Sequence, residues 1–142
     1  MTPWRAPCDG TTGMRHRTRS DLGKWAETEA CRALARRGYA ILERRYRTRF
    51  GEIDIIARDR GVVVFVEVKS RRSESCGSPA AGVTASKQRR LVHLAASYLQ
   101  RHALTSAPCR FDVVSVYCPR EDEPARVDHL QSAFDANPRR TC

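Results

Sequence analysis

Residues 50–72 read FGEIDIIARDRGVVVFVEVKSRR, and how this stretch pairs with itself decides the fold. Two apolar, β-branched runs, residues 52–58 and 62–70, are joined through Arg58, Asp59, Arg60 and Gly61, a composition suited to a tight turn. They predict an antiparallel hairpin. Each run also carries charge: Glu52 and Asp54 in the first, Glu67 and Lys69 in the second. Charges beside a core are costly unless something pairs with them.

Strand side chains alternate, so Glu52, Asp54 and Ile56 are expected on one face, with Ile53 and Ile55 on the other. Phe65, Glu67 and Lys69 likewise share a face. A two-residue turn at Arg60-Gly61 sets Asp54 opposite Glu67, whereas a turn at Asp59-Arg60 sets them on a diagonal. Either register brings two carboxylates side by side. Like charges so placed repel, and a cation is the simplest remedy. Two carboxylates, with a carbonyl and waters, are what Mg²⁺ accepts, and Mn²⁺ takes the same ligands. Lys69 would stand beside that ion, placed to hold an attacking water and to neutralise phosphate charge. The constellation fits phosphodiester hydrolysis. The plainer alternative is a surface ion pair between Glu67 and Lys69, with Asp54 merely ending a strand. Five consecutive apolar residues, 62–66, argue against it, because that strand is then buried on both faces at its start and the charges arrive at its far end.

The 142-residue chain is of a size for one domain with a real core, and no apolar run approaches the eighteen or so residues of a membrane span. Its 26 Lys and Arg against 16 Asp and Glu give a net charge of +10, which favours encounter with polyanions. The six cysteines are scattered, with neither a C-x-x-C pair nor the spacing of a disulfide framework, and no apolar leader follows the first charges. A reducing cytoplasm is the expected compartment.

Residues 1–19 lack an apolar period and read as a disordered basic tail, residues 20–136 as a single domain, and residues 137–142 as a disordered end. Ser20 is a plausible helix cap, and Leu22, Trp25, Ala26, Ala30, Ala33 and Leu34 recur at helical spacing until Gly38. Residues 39–46 predict a short strand that runs into a basic loop through residue 49. Residues 71–83 read as a polar loop, after which Thr84 caps a second helix with Leu91, Leu94, Ala95, Tyr98 and Leu99 as its buried stripe. Residues 110–117 predict a strand; residues 120–126 form an acidic loop, and residues 127–136 a last short strand or a turn of helix.

Five segments, LGKWAETEACRALARRGYAIL, RFGEIDIIARD, VFVEVKSRR, PAAGVTASKQRRL and RFDVVSV, stand in an order that resembles the PD-(D/E)xK nuclease superfamily, and more closely its YraN-like uncharacterised bacterial family. The resemblance implies an α/β, restriction-endonuclease-like fold related to Holliday-junction resolvases: a central mixed sheet with an antiparallel hairpin, flanked by helices. It implies that Asp54 and Glu67 ligate Mg²⁺ or Mn²⁺, that Lys69 is catalytic, and that Glu27 approaches the same metal. Glu27 also borders the helix's apolar stripe, where an edge salt bridge is an equal reading. Glu52 shares the strand of Asp54 and suggests a supporting role. Two departures from the family pattern occur: Ala26 stands where glycine is usual, and Arg45 where asparagine is common.

The implied activity is that of a nuclease, with nucleic acid as partner, DNA ahead of RNA, and no membrane. Arg45, Arg47, Arg49, Arg71, Arg72 and Lys87 are the candidate phosphate contacts, and such contacts favour a structured or branched substrate over a sequence-defined one. A homodimer and repair or recombination proteins are candidate further partners. The alternative function is a non-catalytic nucleic-acid-binding module or a repair scaffold that keeps the nuclease fold.

Overall fold

The computed structural model describes residues 19–71, 83–117 and 124–135. The elements run α1 (Arg19–Arg36), β1 (Ala40–Thr48), β2 (Gly51–Asp59), β3 (Val62–Arg71), α2 (Ala85–Arg101), β4 (Cys109–Tyr117) and β5 (Arg126–Phe134). The strands form one sheet in the order β1-β2-β3-β4-β5, antiparallel throughout except for the parallel pair β3–β4. This is the expected α/β, restriction-endonuclease-like arrangement: a five-stranded mixed sheet with a helix on each face. Residues 1–18 of the expected tail, 72–82 of the polar loop, 118–123, which include 120–123 of the acidic loop, and 136–142 lie outside the described residues.

A parallel pair requires a crossover, and α2 supplies it between β3 and β4. Thr84 caps α2 as expected, its hydroxyl accepting from the Lys87 N–H, and Leu91, Leu94, Ala95 and Tyr98 are buried against the sheet. With Ile56, Phe65, Phe111 and Val113 they make one half of the core. On the opposite face Ala26, Ala30 and Leu34 of α1 pack with Ile55, Ala57, Val64, Val66, Val114 and Val116. Coverage on both faces explains why β3 opens as a continuous apolar run and why β4 is buried without alternation from Phe111 to Val116.

The hairpin turn falls at Arg60-Gly61, both with positive φ (50° and 84°), and pairs Asp59 with Val62. Of the two registers open to the sequence, this is the one that sets Asp54 opposite Glu67. Other expectations need correction. Residues 44–48 are not a loop but the second half of β1, paired from Arg44↔Ile55 to Thr48↔Gly51, so the turn is confined to Arg49 and Phe50. Basic side chains had masked a strand whose neighbour supplies the hydrogen bonds. Helix α1 already includes Arg19 and Ser20; of the two forms expected for the last segment the strand is the one found, nine residues long. No helix among the described residues is long and apolar enough to cross a membrane.

The register shifts in two places, between Ile41 and Glu43 where β1 pairs β2, and after Phe111↔Phe134 where β4 pairs β5. Ser132 there has φ 50°, and its N–H, released from the ladder, donates to Asp112 Oδ1 at 3.0 Å. Asp112 is fully buried and also holds His129 Nε2 at 2.7 Å and Arg110 at 3.1 Å, while Arg110 reaches Asp59 and the Tyr39 hydroxyl. Burial would raise its pKa, but the contacts from His129, Arg110 and Ser132 outweigh it and hold the carboxyl below its ordinary value. A carboxyl with a depressed folded-state pKa stabilises above its unfolded value of 3.8 and loses that contribution as pH falls further. Asp112→Ala should therefore cost about 3 kcal/mol by urea denaturation at neutral pH. The deficit should shrink below pH 3.8, whereas the cost of Val114→Ala should hold steady there.

Candidate functional site

The β2–β3 ladder is paired from Asp59↔Val62 to Ile55↔Val66. One step further along, the Val68 N–H donates not to a carbonyl but to Asp54 Oδ2, at 2.8 Å. The side chain has taken a backbone acceptor's place, which pins the carboxylate between the strands. The alternation expected along β2 fails at this level: Ile53 packs on the α2 side together with Ile56, and Ile55 on the α1 side. Next to it on β1, Arg45 has φ 53° and stands between the pairs Arg44↔Ile55 and Tyr46↔Ile53. Both strands leave the regular pleat together, and Asp54 turns inward between the layers. Asparagine, common in the resembled family at position 45, tolerates this left-handed backbone better than arginine does.

Around Asp54 the other charges assemble. Glu67, the residue expected opposite it, lies near enough for its charge to bear on Asp54. Glu27 from α1 and Glu52 from β2 each bring a carboxylate oxygen to it, the three oxygens lying within 4.8 Å of one another. Glu67 is only 5% exposed, and its Oε1 is shared by Lys69 Nζ at 3.5 Å and by Lys87 Nζ in direct contact. Arg45 Nε donates to Glu27 at 2.6 Å, and Arg47 Nε to Glu52 at 2.8 Å. Glu27 thus makes an edge salt bridge and also stands in the carboxylate cluster.

The electrostatics follow from crowding. Burial, then the Glu67 charge, raises the Asp54 pKa to about 7, against the lowering effect of the Val68 N–H. Burial lowers the pKa of Lys69, and the neighbouring Lys87 adds to that, while Glu67 works the other way. For Lys87 burial also pushes down, but the hydrogen bond and charge of Glu67 win and its pKa is raised. Three carboxylates, Glu27, Glu52 and Asp54, offer hard oxygens within joint reach of one ion and fit Mg²⁺ or Mn²⁺ by donor type; Glu67, expected as a ligand, stands outside that set with its Oε1 held by the two lysines.

Of the expected site residues, Asp54 and Glu27 come together with Glu52, while Lys69 pairs with Glu67 on the facing strand beside Asp54. Of the expected phosphate contacts, Arg45, Arg47 and Lys87 are engaged with Glu27, Glu52 and Glu67, and Arg49 lies over the Phe50 ring. Arg71 is half-buried at the end of β3, and Arg72 lies outside the described residues. Glu52 was underrated by sequence reasoning. Its strand position placed it near Asp54, but only the shared irregularity of β1 and β2 brings the oxygens within reach.

Residues 26–116 match the uncharacterised protein family UPF0102. The chain is 45% identical over 125 residues to a UPF0102 protein of Geotalea uraniireducens, covering 86% of this chain and 98% of that one. It is 50% identical over 115 residues to one of Symbiobacterium thermophilum, covering 81% and 97%. With one of Roseiflexus castenholzii it shares 43% identity over 118 residues, covering 82% and 95%.

A raised carboxyl pKa carries a sign for stability. The folded chain keeps a proton on Asp54 up to about pH 7 that the unfolded chain releases near 3.8, so this group's contribution falls as pH rises between those values. In a metal-chelating buffer, Asp54→Asn should raise the melting temperature at pH 8 by about 4 °C or more and change it little at pH 4. Equal effects at both pH values would show that the carboxyl titrates normally.

Proposed function

We propose that this chain, which belongs to the uncharacterised protein family UPF0102, is a Mg²⁺- or Mn²⁺-dependent endonuclease-like enzyme that hydrolyses phosphodiester bonds in structured or branched DNA. The observation that carries the reading is the meeting of Asp54 and Glu67 where β2 and β3 part, with the Lys69 ammonium on the same carboxylate. A divalent ion held by Asp54, Glu27 and Glu52, with Glu67 joining them once Lys87 releases it, would polarise the scissile phosphate and stabilise the leaving oxygen.

The chain's own groups do the rest. Lys69 keeps its ammonium partly exposed while Glu67 fixes it, so it can hold a water in line with the phosphorus and donate to developing negative charge. Lys87 must give up Glu67 when that carboxylate takes a metal, and its ammonium then becomes available to a phosphate. Arg45 fixes Glu27 in place, and Arg47 does so for Glu52. Contacts of this kind to phosphates carry no base information, in keeping with a substrate chosen by shape. The scattered cysteines and the absence of a cysteine metal motif agree with work in a reducing cytoplasm, alongside repair or recombination proteins or as a homodimer.

One observation favours a second reading. Lys87, Lys69 and Arg45 already neutralise Glu67 and Glu27, so the fold can stand without an ion and grip DNA as a non-catalytic module. The two readings part in a cleavage assay on linear, single-stranded and four-way-junction DNA with Mg²⁺ or Mn²⁺. The enzyme reading expects metal-dependent cutting, strongest on the junction, that falls at least 100-fold in Asp54→Ala, Glu67→Ala and Lys69→Ala, an effect of about 2.7 kcal/mol or more for each. Cutting that persists undiminished in all three folded variants would overturn it. Salt-sensitive binding without cutting, unchanged or tightened by the same substitutions, would leave the binding module.

A further inference from the structure

Among the described residues, Phe50 and Leu42 are the large apolar side chains left exposed, and Phe50, at 55%, is the more so. A single exposed apolar residue is ordinary on a protein surface. Phe50 differs in how it is held and in what surrounds it. It sits in the two-residue turn between β1 and β2, where its N–H donates to Thr48 Oγ1 at 3.0 Å. The His93 ring of α2 meets it edge-on at 5.7 Å, and the Arg49 guanidinium lies 4.9 Å from its centroid. The next residue, Gly51, has φ 145° and lies so close to α2 that a Cβ there would stand 3.0 Å from Arg90 Cδ. The hairpin tip is therefore docked on the helix, and the ring is displayed on a fixed support rather than on a swinging loop.

The surroundings are cationic. Arg49 lies over the ring and Arg90 stands against the next residue, Gly51; both are exposed, so the patch offers an aromatic face within a field that attracts phosphates. It also adjoins the carboxylates: Glu52 follows two residues later, and Gly51 to Asp54 spans about 10 Å of strand, roughly three nucleotide rises of a duplex strand. An aromatic ring among arginines is the chemistry that recognises an unpaired base, stacking on its π face while the cations hold the flanking phosphates.

We infer that Phe50 is a stacking residue that receives an unpaired base a few nucleotides from the bond to be cut, so that the site selects DNA at a boundary between paired and unpaired strands. This inference rests on the reading of the protein as an endonuclease-like enzyme on DNA. It adds a specificity-determining position outside the carboxylate cluster and gives a physical reason for a branched substrate over a continuous duplex.

The test is binding rather than cutting, in EDTA so that no metal-dependent cleavage intervenes. Two DNAs are compared: a flapped duplex with 2-aminopurine at the first unpaired position, and a blunt duplex of the same length. For the wild-type chain, the flap should bind more tightly than the blunt duplex and the 2-aminopurine fluorescence should fall. Phe50→Ala and Phe50→Leu should each weaken flap binding about tenfold and abolish the fluorescence change while leaving blunt-duplex affinity unchanged. Phe50→Tyr, which keeps a π face, should retain both; leucine keeps apolar bulk and separates stacking from simple packing. Equal flap affinity and equal quenching in wild type and Phe50→Ala would overturn the inference while leaving the endonuclease reading to its carboxylate variants. Failure of the wild-type chain to bind either DNA would overturn both.

Discussion

A buried carboxylate, Glu67, and a half-buried one, Asp54, set side by side at the fork of a hairpin are the constraint on which the rest of this molecule depends. Asp54 and Glu67 lie near one another in a place where water is scarce, and like charges so placed repel. Each visible feature around them offsets that repulsion. The Val68 N–H is withdrawn from the ladder to serve Asp54, and two lysines converge on one oxygen of Glu67. Asp54 answers further by holding its proton up to about pH 7. A fold selected for stability alone would replace the pair with apolar residues, since buried ionic clusters are often neutral or unfavourable by comparison.

The same device appears twice in the sheet with opposite meanings. At Asp54 and at Asp112 an aspartate side chain accepts a backbone N–H of the neighbouring strand in place of a carbonyl, where the sheet departs from its regular ladder. Asp112 is then saturated by His129 and Arg110, its pKa is depressed, and it acts as a clamp between β4 and β5. Asp54 is surrounded by further acids, and its pKa is raised. The difference lies in the partners: a carboxylate among cations is stable as it stands, whereas one among carboxylates is poised to take up a proton or a cation.

The irregularity that creates the cluster also shapes the surface beside it. Because β1 and β2 continue pairing beyond Arg45 and Asp54 to Thr48↔Gly51, the hairpin tip projects over α2 and carries Phe50 with it. Arg47, in the projecting part of β1, turns back to Glu52 and ties the tip to the carboxylates. The acidic centre and the basic, aromatic rim are thus built from one hairpin, so a change in its tip is felt at the site through a few residues of strand.

Much of this was legible in the chain itself. The β-branched runs, the Arg60-Gly61 turn and the parity of the hairpin register put Asp54 against Glu67, and Thr84 with the stripe beginning at Leu91 gave α2, because each depends on neighbours a few residues away. Residues 44–48 misled because arginines favour no particular strand pattern, and the hydrogen bonds that make them a strand come from β2. Only the folded molecule decided that Ile53 and Ile55 face different layers, that Glu52 joins Glu27 and Asp54, and that Lys87 closes on Glu67. Periodicity and turn chemistry are local and can be written into a sequence. The pairing of charges across a sheet and two helices depends on distances set by packing, which no local pattern encodes.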